Sequence, residues 1–268
     1  MIRTGRVVTI AWYTWSGAKR RWIVFAPPAL LVLLLLLQLP RIVHVASLFD
    51  ASASDWRAIA AFAEFVEALY ANCIVLGSIF ALTLGASSTG RRGVRHQIAP
   101  ILARPLSRSE FILGRVVGLA AVLGVFWLIP ATIFEGLRWV VGSPVRLHPL
   151  AYLVPFTVHL LILAAGMAAG SAFRTIPAAT VTVVCFWGVL WLGSGHDSPD
   201  QAWQRLSAAS RWFFPPLADL LHAAAPFASQ AAFLTQAALL IQTGAWIVIL
   251  VVVTIWCYER SDFGPRSA

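Results

Sequence analysis

Six stretches of this chain are apolar for long enough to cross a lipid bilayer, and no other property of the sequence narrows its fold as far. A helix rising about 1.5 Å per residue needs about 20 residues to cross a hydrocarbon layer of about 30 Å. Trp22–Leu39, Ile59–Ala86, Val116–Val141, Leu150–Phe173, Ile176–Gly195 and Gln236–Tyr258 come near or exceed that length. Most of these runs lack the alternating polar face that a soluble helix shows. Hydrophobic residues make up 59% of the 268 and charged ones 12%, with a mean hydropathy of +0.79, so the chain falls with membrane proteins rather than soluble domains. The expected fold is an all-α, polytopic membrane bundle of six transmembrane helices, forming a single domain over residues 1–268.

Basic residues orient such a bundle, because cytoplasmic loops hold an excess of Lys and Arg. With six spans both termini share a side. That side holds Arg3, Arg6, Lys19, Arg20, Arg21, the arginines from Arg91 to Arg115, Arg174, Arg260 and Arg266. Only Arg41, Arg57, Arg138, Arg146, Arg205 and Arg211 fall opposite, so both termini are expected in the cytoplasm. The net charge of +9 then reads as an orientation signal and an attraction to anionic inner-leaflet lipid. No basic groove interleaved with aromatics accompanies it, which argues against nucleic acid as a partner. The first 22 residues are polar and amphipathic and the leucine run after them lacks a small-residue cleavage site, so Trp22–Leu39 is expected to stay attached. Cys73, Cys185 and Cys257 share no metal-ligand spacing and read as small buried apolar residues.

Residues 1–21 place Val8, Ala11, Trp12 and Trp15 on one helical face with basic residues at the end, the pattern of an interfacial helix on the inner leaflet. An aromatic belt with positive-inside charge fits the same residues. Residues 196–235 alternate apolar patches with the Pro215-Pro216 break and are expected to re-enter the outer leaflet or cap the bundle as an amphipathic segment. Residues 87–115 form the largest cytoplasmic loop.

A nucleotide-hydrolysing P-loop needs a lysine in G-x-x-x-x-G-K-[ST], and the single lysine, Lys19, follows Ser-Gly-Ala without that spacing. H-E-x-x-H, G-x-S-x-G and C-x-x-C are also missing, so the chain offers no catalytic residue, no metal ligands and no enzyme activity of its own. Acidic residues within spans mark sites to weigh as functional. Glu64 and Glu67 share a face near the outer end of the second span, and Glu135 lies near the outer end of the third. They could line a translocation pathway, or pair with Arg138 or Arg57 at the interface. His159 is alone on the fourth span and reads as a hydrogen-bonded packing residue rather than a ligand. Gly166 and Gly170 form a GxxxG face for close helix approach, within one chain or between two.

Between the second and third spans, Leu102-Ala-Arg-Pro-Leu-Ser-Arg-Ser-Glu-Phe-Ile-Leu-Gly-Arg115 resembles the loop motif of the type 2 ABC exporter permeases, including the subgroup like the nitrous-oxide-reductase maturation permease. Arg104, Pro105, Ser107, Arg108, Gly114 and Arg115 match that motif, and Trp212-Phe-Phe-Pro-Pro-Leu217 resembles the family's later aromatic-proline element. The resemblance implies a permease subunit in the cytoplasmic (inner) membrane of a prokaryote. Two separate ABC ATPase subunits would bind ATP and Mg, and a second permease copy or paralogue would complete a homo- or heterodimer. It implies a short cytoplasmic coupling helix in the loop, with His96, Gln97, Ile98, Pro100, Ile101, Leu102, Arg104, Pro105, Ser107 and Arg108 at the ATPase contact. Arg91-Arg-Gly-Val-Arg-His96 departs from the family, which is acidic here, and implies a complementary acidic groove on the ATPase or weaker coupling.

Within the loop, Pro100 and Pro105 restrict helix to short pieces. Ser107 is placed to cap the next helix, with Glu110 completing the box S-x-x-E. A push on the apolar knob Ile98–Leu102 would then tilt the third span. Two other readings compete: an ATPase-linked complex doing maturation or mechanical work on outer-face partners, and a stand-alone scaffold or secondary transporter.

Overall fold

The computed structural model describes residues 4–19, 26–51, 56–89, 107–141, 150–173, 175–193 and 233–260, with positions 201, 202, 204, 205 and 215. Helices α1 (Thr4–Lys19), α2 (Ala26–Leu37), α3 (Leu39–Ala51), α4 (Trp56–Thr89), α5 (Arg108–Val141), α6 (Leu150–Ala172), α7 (Thr175–Gly193) and α8 (Phe233–Arg260) follow in order. Among the described residues there is no strand. In hydrocarbon every backbone amide needs an internal partner, and a helix supplies one to each.

Four of these helices are long and apolar enough to cross a membrane: Trp56–Thr89, Arg108–Val140, Tyr152–Ala172 and Ala237–Arg260. They carry the second, third, fourth and sixth expected spans. Of the first expected span, Trp22–Leu39, the residues from Ala26 onward are described. Its leucine run stops at Gln38, which leaves α2 with 12 residues, or about 18 Å. Pro40 has no N–H to offer the Leu36 carbonyl, so the ladder breaks there and restarts with Ile42 donating to Gln38 at 3.0 Å. The fifth span forms α7, whose apolar part, Thr175–Trp191, is shorter than the four long helices. The expected outer segment, 196–235, lies almost wholly outside the described residues.

At the centre of the bundle is α6, packed on α4, α5, α7 and α8. Of its most apolar window 61% is buried, against 17% for α8. The α4–α6 crossing is close because both sides lack side chains. A Cβ at Gly85 would lie 2.5 Å from the Leu163 carbonyl oxygen, and one at Gly170 would lie 2.5 Å from Thr89 Oγ1. Thr89 uses the proximity to donate to the Met167 carbonyl at 2.8 Å. The GxxxG face of Gly166 and Gly170 is therefore filled from within the chain.

The other intimate pairing joins α1 to the first half of α5. Gly114 receives Ile10, and Gly118 lies under Ala11 and Thr14. Ile10 is buried and Trp15 packs against the core, whereas Val8, Trp12 and Tyr13 remain exposed. The expected single face of Val8, Ala11, Trp12 and Trp15 is thus divided: Val8 and Trp12 point out, and Trp15 points in. The cysteines divide too, with Cys73 buried but Cys185 exposed on α7, contrary to the expectation of burial.

Candidate functional site

The described chain resumes at Ser107, just before α5, and there the capping box closes. Glu110 N–H donates to Ser107 Oγ at 3.2 Å, and Ser107 N–H donates to Glu110 Oε2 at 3.1 Å. Each side chain satisfies an amide that the first turn of α5 would leave without an intrahelical partner. Glu110 also faces Arg6 of α1 at 3.7 Å, with its own side chain only 3% exposed. The carboxylate thus favours the amino end of α5 and holds α1 in the same place.

Arg108, one residue into the helix, turns away from α5. Its Nη1 donates to the carbonyls of Tyr258 at 3.2 Å and Glu259 at 2.5 Å, the last carbonyls of α8. Around this contact Phe111 stacks on Tyr258, 5.9 Å between centroids, and the Arg115 guanidinium lies 5.0 Å over Phe111. Three helix ends therefore meet where the loop ends. His96, Gln97, Ile98, Pro100, Ile101, Leu102, Arg104 and Pro105 lie outside the described residues.

The three carboxylates of the expected pathway are not gathered into one cluster. Glu135 pairs with Arg138 at 2.8 Å within one turn of α5. Glu64 pairs across helices with Arg41 of α3 at 3.7 Å, and Arg57 instead covers the ring of Trp56. Glu67 is exposed on α4. Glu64, Glu67, Ala68, Ala71, Asn72, Val75, Ile79 and Thr83 form one outward face of α4. Asn72 stands midway along that helix, with one amide hydrogen bond to the Ala68 carbonyl at 3.0 Å.

His159 is fully buried and held on both nitrogens. Trp127 Nε1 donates to Nδ1 at 2.7 Å, so Nε2 carries the hydrogen toward the Ile74 carbonyl, 3.0 Å away. Gly77 makes room, since a Cβ there would collide with the imidazole. This arrangement is the packing role expected of His159, and it joins α4, α5 and α6. Among the described residues no three His, Cys, Asp or Glu side chains are grouped as a metal site.

Sequence reasoning missed Arg108's partners, the Arg41–Glu64 pair and Asn72. For Arg108 there was a signal: a cation opening a helix opposes that helix's own dipole and needs acceptors from elsewhere. Asn72 also stood out as an amide inside an apolar run.

Comparison with protein families and with curated proteins finds no match to this chain.

Proposed function

We propose that this chain is the membrane subunit of an ABC exporter, coupling ATP hydrolysis on separate ATPase subunits to substrate movement across the cytoplasmic membrane of a prokaryote. Two ATPase chains, which bind ATP and Mg, and a second permease complete the assembly. The observation that carries this reading is the join between the basic loop and the bundle. The family-like motif ends in a capped helix start that also holds α1 and α8. A displacement of the loop would reach three helices at once.

The rest of the molecule supports the same reading. Four long apolar helices supply a membrane domain, and the lack of a P-loop makes hydrolysis a partner's task. Trp12 and Trp256 are exposed near the end of the bundle where α5 starts, and Trp56, Trp139 and Trp191 near the other, as interfacial aromatic belts are. The first belt then marks the cytoplasmic side, where α1 lies as an interfacial helix with Val8, Trp12 and Tyr13 turned to lipid. Polar side chains at bilayer depth face a water-lined cavity or another chain. The outward face of α4, with Glu64, Glu67 and Asn72, then lines the route between two permeases.

Co-expression with the product of any neighbouring reading frame that carries a P-loop, followed by purification through a tag on this chain, tests the reading. The ATPase is expected to co-purify at one copy per permease. A chain that purifies alone and binds no such ATPase would contradict it.

A further inference from the structure

We infer that Arg108 is a positioning residue that fastens the inner end of α8 to the start of α5, so that the two ends move as one body. Arg108 opens α5, where its charge opposes the dipole of its own helix. Its guanidinium instead reaches the carbonyls of Tyr258 and Glu259, which close α8 and where a cation is favoured. The last carbonyls of a helix have no intrahelical donor, and Arg108 supplies one.

The fastening adds to the packing of α8 along the bundle. Only 17% of its most apolar window is buried, and its main neighbours are α6 and α5. At its inner end, beside the buried Thr254 and Tyr258, Arg108 Nη1 meets the last carbonyls and Phe111 stacks on Tyr258. Two residues along, Glu110 fastens α1 through Arg6, so Arg108 and Glu110 of α5 grip two different helices. The resemblance would assign Arg108 to the ATPase contact, but its Nη1 is occupied by α8. The inference rests on the meeting of helix ends and stands whether or not an ATPase drives the loop.

Hydrogen–deuterium exchange of the full chain alone in lipid nanodiscs tests it, read on peptides from residues 253–260 and from the α4–α6 crossing. Arg108→Ala is expected to speed exchange at the end of α8 by about tenfold and to leave the crossing unchanged. Arg108→Lys keeps the charge but loses the planar guanidinium and its reach, and is expected to give about a threefold rise confined to the same peptides. If Arg108→Ala does not fold, Arg108→Lys decides alone. Wild-type exchange at the end of α8 in a folded variant, or an equal rise at the crossing, overturns the inference.

Discussion

The α4–α6 crossing and the junction of α1, α5 and α8 are both places where helices meet closely, yet they are held by different means. At the crossing the helices touch because side chains are missing: Gly85, Gly166 and Gly170 bring backbone to backbone, and Gly77 admits the ring of His159. At the junction they are held by side chains that are present, a capping box, an ion pair, a guanidinium on carbonyls and a ring stack. The first kind of contact is all or nothing, since any added atom must displace a helix. The second is a sum of separable terms of about 1 kcal/mol each, which loosens by degrees.

Substitutions at the crossing should cost most. His159→Ala removes a fully buried ring and leaves the Trp127 N–H without its acceptor, for a loss of about 4 kcal/mol. Thermal unfolding followed by tryptophan fluorescence should show the lowest midpoint of the set. Gly85→Ala places a Cβ against the Leu163 carbonyl and should cost about 3 kcal/mol, whereas Gly244→Ala on α8, with open space around it, should stay within about 0.5 kcal/mol. Equal midpoints for these two glycine variants would break the distinction between a crossing that admits no atom and a helix with room.

The junction should respond more weakly and more locally. Ser107→Ala removes one half of the capping box and should cost about 1 kcal/mol, detectable as faster amide exchange in the first turn of α5 with the global midpoint almost unchanged. A fall in midpoint as large as that of Gly85→Ala would place the junction in the rigid body instead.

These two regions also differ in how far the sequence discloses them. Local features were legible. Ser107 and Glu110 are three residues apart and form the expected box, and Glu135 and Arg138 pair within a turn as their spacing suggests. His159 as a hydrogen-bonded packing residue also holds. The GxxxG spacing announced a close approach but not its partner, because the complement lies at Gly85, Ala86 and Thr89 on a separate helix. Contacts between distant segments were not legible: Arg108 and Tyr258 are 150 residues apart. The first expected span, Trp22–Leu39, is described only from Ala26, and there α2 runs to Leu37. Cys185 was misread because burial was inferred from lying in an apolar run, and in a bundle such a run also faces outward.

The proposal's central claim is that work done on the loop before α5 enters the bundle through the start of α5. Its most direct test is ATP turnover by the co-purified ATPase in nanodiscs, comparing the wild-type permease with the double variant Ile98→Asp and Ile101→Asp. The account predicts that the charged knob abolishes the permease-dependent part of the turnover while the permease itself keeps its wild-type melting midpoint. Turnover and assembly equal to wild type in that variant would contradict it.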